Sequence, residues 1–294
     1  MIRREQVRMP GAARLAALSL AFALCGCSAL EHGFLNAAGP VAADERHLFI
    51  IVSIVLLFVA GPVLLLTPLF AWHYRLGNAA DSYKPKWNFS WWVEGLIWIP
   101  PTGIVIGLAV LLWTWTHVDD PYRKLAGGPP IEVEAVALDW KWVFIYPDEG
   151  VATVNQLAIP VGRPVHIRLT SGTVMQSLLI PQLAGQIYAM AGMTTELNVA
   201  ASRPGQYLGQ NTQYNGAGFA RQKFTVLALR GNGYQAWLGR MHAAPQILDQ
   251  TVWHALSQRA AAPRPLFFGA VQPGMFQRVL AQTSGMPMKP KDAR

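Results

Sequence analysis

Three apolar runs precede residue 117, and after them the pattern breaks into short alternating stretches. The first run, Leu15 to Gly26, follows Arg3, Arg4, Arg8 and Arg14 and is too short to cross a bilayer, the form of an export signal. The second, Leu48 to Trp72, is almost uncharged. At about 1.5 Å per residue it can span a hydrocarbon layer about 30 Å thick, so it predicts a first transmembrane helix over 48–72. Pro62 and Pro68 should kink that helix or loosen its last turns. The third run predicts a second span over 93–116, with Trp91, Trp92, Trp113 and Trp115 at its ends as interfacial aromatic residues and Pro100-Pro101 as a bend.

Downstream of a linker over 117–130, punctuated by Gly127-Gly128-Pro129-Pro130, the periodicity changes to that of strands. Ile131 to Leu138 alternates, and β-like runs follow at Trp142 to Tyr146, Thr153 to Ile159, Pro164 to Thr170, Val174 to Ile180, Thr194 to Ala200 and Phe224 to Leu229. Strands at this spacing predict an all-β sandwich over 131–230. Beyond it, Tyr234 to His242 and Thr251 to Arg259 have helical spacing, so 231–294 reads as a short helical C-terminal extension whose last twenty residues look mobile. The expected fold class is therefore membrane-anchored all-β: two transmembrane helices, a sandwich and a helical extension.

Composition agrees with membrane spans, since 52% of the 294 residues are hydrophobic and only 14% charged. The formal net charge of +8 does not point to nucleic acid, because the basic residues are spread over the signal, one loop and the tail without a stripe or motif. The loop over 73–92 carries Arg75, Lys84 and Lys86 against Asp81, the positive excess expected of a cytoplasmic loop. Both ends of the mature chain then lie outside. The first apolar run ends in Leu24-Cys25-Gly26-Cys27, similar to a bacterial lipobox, which places lipid on Cys27, removes 1–26 as signal and leaves 27–47 as an outer N-terminal segment anchored to membrane lipid.

Cys25 and Cys27 are the only cysteines, so the sandwich has no thiolate to offer a metal. His32, His47, His73, His117, His166, His242 and His254 are scattered, and none is expected to be a ligand. Met190 and Met193 read as packing. No phosphate loop, nucleophile elbow or paired-carboxylate pattern is visible, so no catalytic residue is expected.

The stretch Leu208 to Phe224 resembles the copper-binding loop of subunit II of the haem-copper respiratory oxidases with its ligands replaced. Asn211, Gln213, Asn215, Phe219 and Gln222 stand at the lost positions in the loop, and Gln176, in Val174-Met175-Gln176-Ser177, stands where an upstream histidine would be. Five segments then resemble subunit II of the cytochrome bo-type ubiquinol oxidases: Phe70 to Arg75; Val93-Glu94 with Trp98; Asp139 to Trp142 with Ile145-Tyr146-Pro147; Ile180-Pro181 with Gln186 to Met193; and Tyr214-Asn215-Gly216 with Gly218-Phe219.

That resemblance implies a cupredoxin-like sandwich docked over a haem-copper subunit I, together with the other oxidase subunits. The haems, the copper and the quinol chemistry belong to the partner; this chain is expected to hold no cofactor and no metal. The complex oxidises ubiquinol, reduces oxygen and pumps protons. The implied location is the bacterial cytoplasmic membrane, with the C-terminal domain in the periplasm. Glu94 is implied as the entrance of a proton path, against the plainer reading of a carboxylate at a helix N-terminus. Asp139, Trp140 and Trp142 form an aromatic cluster for packing or docking. The alternatives are a cytochrome c oxidase subunit II, which needs the missing thiolates, and a lipoprotein assembly factor or metal carrier, which needs a Met/His cluster.

Overall fold

This computed structural model describes residues 33–75, 88–262 and 264–285. The signal with Cys25 and Cys27, the loop residues Asp81, Lys84 and Lys86, and the tail beyond 285 lie outside the described residues. The chain divides into two units, one formed by Asp44–Arg123 and the other by the segments on either side of it.

Two helices account for most of the first unit, α1 (Pro40–His73) and α2 (Trp91–Val118). Each is long and apolar enough to cross a membrane. α1 starts upstream of its apolar run because Pro40 suits a first turn and the Ala-Ala-Asp-Glu-Arg that follows can stay helical. Apolar side chains face outward all round, among them Leu64, Leu65, Trp92 and Ile99, as in a helix whose surroundings are themselves apolar. The hydroxyls of Thr67, Thr114 and Thr116 each donate to the carbonyl four residues earlier, so none needs water.

The second unit is a sandwich. Its first ten strands are β1 (Ile131–Leu138), β2 (Lys141–Tyr146), β3 (Val151–Val154), β4 (Gln156–Pro160), β5 (Val165–Ser171), β6 (Gln176–Ile180), β7 (Ala184–Ala189), β8 (Thr195–Val199), β9 (Gly205–Asn211) and β10 (Lys223–Leu229). After them come α3 (Gly231–His242), β11 (Ile247–Leu248), α4 (Gln250–Ser257), β12 (Leu266–Phe268), β13 (Ala270–Val271) and α5 (Met275–Thr283). One sheet has the order β12-β3-β2-β1-β5-β8 and the facing sheet β4-β10-β9-β6-β7; β11 and β13 pair by themselves. The parallel pairs β1–β5 and β4–β10 are the marks of a crossed-over sandwich, unlike a simple meander.

Three features differ from the sequence pattern. Thr153 to Ile159 is not one strand, because Asn155 takes a left-handed conformation (φ 57°) and sends β3 into one sheet and β4 into the other. Asparagine tolerates that backbone, and its side chain accepts from Trp142 N at 2.9 Å and donates to Ala262 O at 3.1 Å. β7 and β9 escape the pattern because glycines and polar residues interrupt it; Gly209 is required since the Phe224 ring leaves no room for a Cβ.

The third difference is the C-terminal extension, which is not helical alone. β12 pairs antiparallel with β3 and extends the six-stranded sheet. Part of the expected mobile tail is α5, ordered because Met275, Phe276 and Val279 are buried at a helical spacing.

Two apolar cores result. Trp142, Phe144, Leu157, Ile159, Ile167, Leu178 and Val226 fill the space between the sheets, with Trp237 of α3 joining them. On the other face of the six-stranded sheet, Val136, Leu138, Val143 and Ile145 meet Trp253, Phe268 and Phe276 of the extension. At the N-terminal side of this unit, Ala38 N donates to Gln182 O and Ser202 N donates to Ala38 O, both at 2.7 Å. Gly39 lies there against backbone that would exclude a side chain.

Candidate functional site

At one end of the sandwich the sheets are joined by four amide side chains. Gln176 opens β6, Asn211 closes β9, and Asn215 and Gln222 lie in the loop between β9 and β10, so the fold converges residues that are up to 46 positions apart. All four are nearly inaccessible to solvent. Gln222 Oε1 accepts from Asn211 Nδ2 at 3.0 Å and from Asn215 Nδ2 at 2.7 Å. Gln176 Oε1 accepts from Asn215 Nδ2 at 3.2 Å and from Gln222 Nε2. Gln176 Nε2 and Gln222 Nε2 each donate to Leu138 O at 3.2 Å, which ties the cluster to the end of β1.

Both Gln176 Oε1 and Gln222 Oε1 thus accept two hydrogen bonds, the capacity of an amide oxygen. A copper pair needs soft, electron-rich ligands on the metal side; this cluster offers only neutral amides, and the Gln176, Asn211 and Gln222 oxygens are already engaged, which leaves Asn215 Oδ1 alone without a partner. Copper does not fit it. Among the described residues no three His, Cys, Asp or Glu side chains are grouped as ligands of one ion. What the arrangement can do is hold the two sheets together without titrating, because amides carry no charge at any pH of interest.

The other loop positions are peripheral. Gln213 joins through its backbone, donating to Asn211 Oδ1 at 3.0 Å and accepting from Asn211 Nδ2 at 2.8 Å. Phe219 is half-buried, its ring 5.7 Å from that of exposed Tyr214.

Beside the amides, the hairpin Asp139–Trp140 between β1 and β2 carries charge. Trp140 adopts φ 65°, a costly conformation for a bulky residue, and its ring is held by close neighbours. Gly218 lies so close that a Cβ would enter the ring, and the Arg259 guanidinium stands 5.3 Å over it. Arg259 also approaches Asp139, Nε to Oδ2 3.4 Å. Trp142 is wholly buried and its ring stacks on that of Phe144 in the inner core.

Lys141 is the residue of this hairpin that the sequence reading passed over. It is 3% exposed, and its ammonium donates to Leu256 O at 2.6 Å and Gln258 O at 2.8 Å, satisfying carbonyls at the end of α4. Burial lowers its pKa, and the Asp139 charge opposes that shift. On the same sheet burial raises the Glu134 carboxyl, against the pull of Arg168 at 3.3 Å. A basic residue in a tight hairpin before an apolar strand was the available signal for Lys141; its partners lie more than a hundred residues away and leave no local trace.

Glu94 belongs to the helical unit. It sits in the first turn of α2, partly exposed, and accepts from Trp98 Nε1 at 3.1 Å.

The model of the family "Cytochrome C oxidase subunit II, periplasmic domain" matches residues 149–228. The chain is 43% identical to ubiquinol oxidase subunit 2 of Acetobacter aceti over 94% of its own length and 90% of that protein's. It is 40% identical to cytochrome bo(3) ubiquinol oxidase subunit 2 of Pseudomonas aeruginosa, over 90% of this chain and 80% of that one. Among solved structures, the periplasmic domain of subunit II of cytochrome oxidase of Bradyrhizobium japonicum is similar with a TM-score of 0.38 and 18% identity, covering 40% of this chain and 96% of that domain. With such identity held over nearly its whole length, the chain belongs to the family of subunit 2 of the ubiquinol oxidases.

Proposed function

We propose that the chain is the second subunit of a proton-translocating quinol oxidase, in which it supports a haem-copper subunit and carries no redox centre itself. The observation that supports this most is the amide cluster: Gln176, Asn211, Asn215 and Gln222 meet in one place, and the Gln176 and Gln222 oxygens are spent on the amide N–H groups of the cluster. In this reading they, with Gln213 and Phe219, occupy the positions from which copper ligands were lost. Electrons therefore reach the complex from ubiquinol at the partner, with no passage through the sandwich. The haems and the copper reside in the partner subunit.

The orientation follows from the sequence. Cys27 carries lipid at the outer face of a bacterial cytoplasmic membrane, α1 and α2 span it, the basic loop is cytoplasmic, and the sandwich lies in the periplasm. Glu94, near the cytoplasmic end of α2, receives protons for the partner. The Asp139–Trp140 hairpin acts in packing, with Arg259 over the Trp140 ring.

The test is direct. The purified complex should turn over ubiquinol and fail to oxidise cytochrome c, and the full-length chain dialysed against copper should retain no stoichiometric metal and show no thiolate-to-copper absorption. Oxidation of cytochrome c, or retained copper, would sink the reading. Mass spectrometry of the mature N-terminus decides lipidation at Cys27.

A further inference from the structure

Along α2, Glu94, Ile97, Trp98 and Pro101 fall three, four and seven residues apart and share one face. Trp98 spends its indole N–H on Glu94 Oε2 at 3.1 Å. An indole has one donor and no acceptor, so this bond fixes the ring and the carboxylate to each other. The prolines act on the backbone. Proline has no N–H, so Pro100 and Pro101 withdraw the donors that an α-helix would give to the carbonyls of Leu96 and Ile97. Those carbonyls lie two and three residues beyond Glu94, further into the apolar helix, and the Thr hydroxyls that bond back along α2, Thr114 and Thr116, serve Val110 and Leu112 much nearer its C-terminal end.

Backbone carbonyls left without donors at such depth are tolerated where water or a protein partner reaches them, and not against lipid. A carboxylate held at a set angle, followed by two adjacent acceptors, is a row of sites for hydrogen-bonded water leading from the helix N-terminus inward. We propose that Trp98 is a positioning residue for Glu94 and that Pro100-Pro101 make the next turn a holder of proton-carrying water. This rests on the reading of Glu94 as a proton entrance. In one cycle Glu94 accepts a proton from water on the N-terminal side. It then releases a proton to water bound at the Ile97 carbonyl, so the carboxylate is restored and no bond other than O–H changes.

The assembled oxidase in lipid vesicles tests it through three variants with unchanged haem content: Glu94→Gln, Trp98→Phe and the double change Pro100→Ala with Pro101→Ala. Trp98→Phe keeps the ring and removes the donor; proton uptake should slow about fivefold, the loss expected of one hydrogen bond. The carboxylate stretching band of Glu94 should move in the infrared spectrum, and Trp98→His, which keeps an N–H, should recover part of both. The proline change returns N–H donors to Leu96 and Ile97 and should slow uptake while leaving the Glu94 band in place. If Glu94→Gln slows uptake but Trp98→Phe leaves rate and band untouched, the positioning role is wrong while the entrance stands. If Glu94→Gln itself has no effect, the entrance reading fails first. Should Trp98→Phe not assemble, the proline variant decides, since normal uptake there would remove the water-holding turn from the path.

Discussion

The two sheets of the sandwich are buried differently. In the six-stranded sheet, β2 and β3 are inaccessible at every position, although an antiparallel sheet ordinarily leaves alternate residues to water. In the five-stranded sheet, β10 alternates between buried and accessible residues, and β7 is accessible at all four of its inner positions. The cause is the C-terminal extension, which packs Trp253 and Phe276 against the outer face of β1 to β3, adds Phe268 of β12 beside them, and leaves β7 and β10 of the other sheet open to water. An element with little local signature of its own thus decides which strands look like core.

The largest expected effect follows from removing that cover. Phe276→Ala should cost about 3–5 kcal/mol in urea unfolding of the detergent-solubilised chain and open the extension to protease, whereas Tyr188→Ala, on the uncovered sheet and 42% exposed, should stay within about 0.5 kcal/mol. Equal losses would mean that the extension does not stabilise the sheet beneath it.

Next come the joints between the regions. Gln222→Leu keeps the volume but strips partners from Asn211, Asn215, Gln176 and Leu138 O, and should cost about 3 kcal/mol by the same unfolding measurement. A change to a neutral amide cluster should cost the same at pH 5 and pH 8; a pH-dependent loss would show that a titrating group takes part. Lys141→Met should cost about 2 kcal/mol, because the carbonyls of Leu256 and Gln258 lose their ammonium while the burial of a charge is relieved. Hydrogen exchange should then rise in α4 before it rises in β2.

The smallest effect sharpens the contrast at the rim of the inner core. Tyr234 has a buried hydroxyl without a protein partner, and burial with the Glu149 charge raises its phenol from 10.0 to about 12. Since the folded value exceeds the unfolded one, its contribution is intact below pH 10 and is lost as pH rises through 12. Tyr234→Phe should therefore be neutral or stabilising by up to about 1 kcal/mol at pH 7 and should soften the alkaline loss of stability, as followed by tryptophan fluorescence. A steeper alkaline loss in the variant would contradict the sign.

Much of the fold was legible from the chain. The alternation of Ile131 to Leu138 marks β1 at both ends, and the apolar runs mark both long helices, because those patterns are local. Asn155 was not legible as a boundary, since one left-handed residue inside an apolar stretch changes sheets without changing hydrophobicity. Of the candidate site, Gln176, Asn211, Asn215 and Gln222 were nameable beforehand, but their bonds to Leu138 O were not. Arg259 over Trp140 had no signal at all in the neighbourhood of either residue.

By itself the sequence determined the chemistry that is available: no cysteine beyond Cys27, amides where soft ligands would be needed, and two apolar runs of membrane length. These are properties of residue types, and no fold can alter them. Only the tertiary structure decided how they are used, by closing four amides on one another, setting Lys141 under the end of α4 and folding the extension over one sheet. Hydrogen bonds and packing between residues a hundred positions apart depend on chain topology, which local periodicity does not carry.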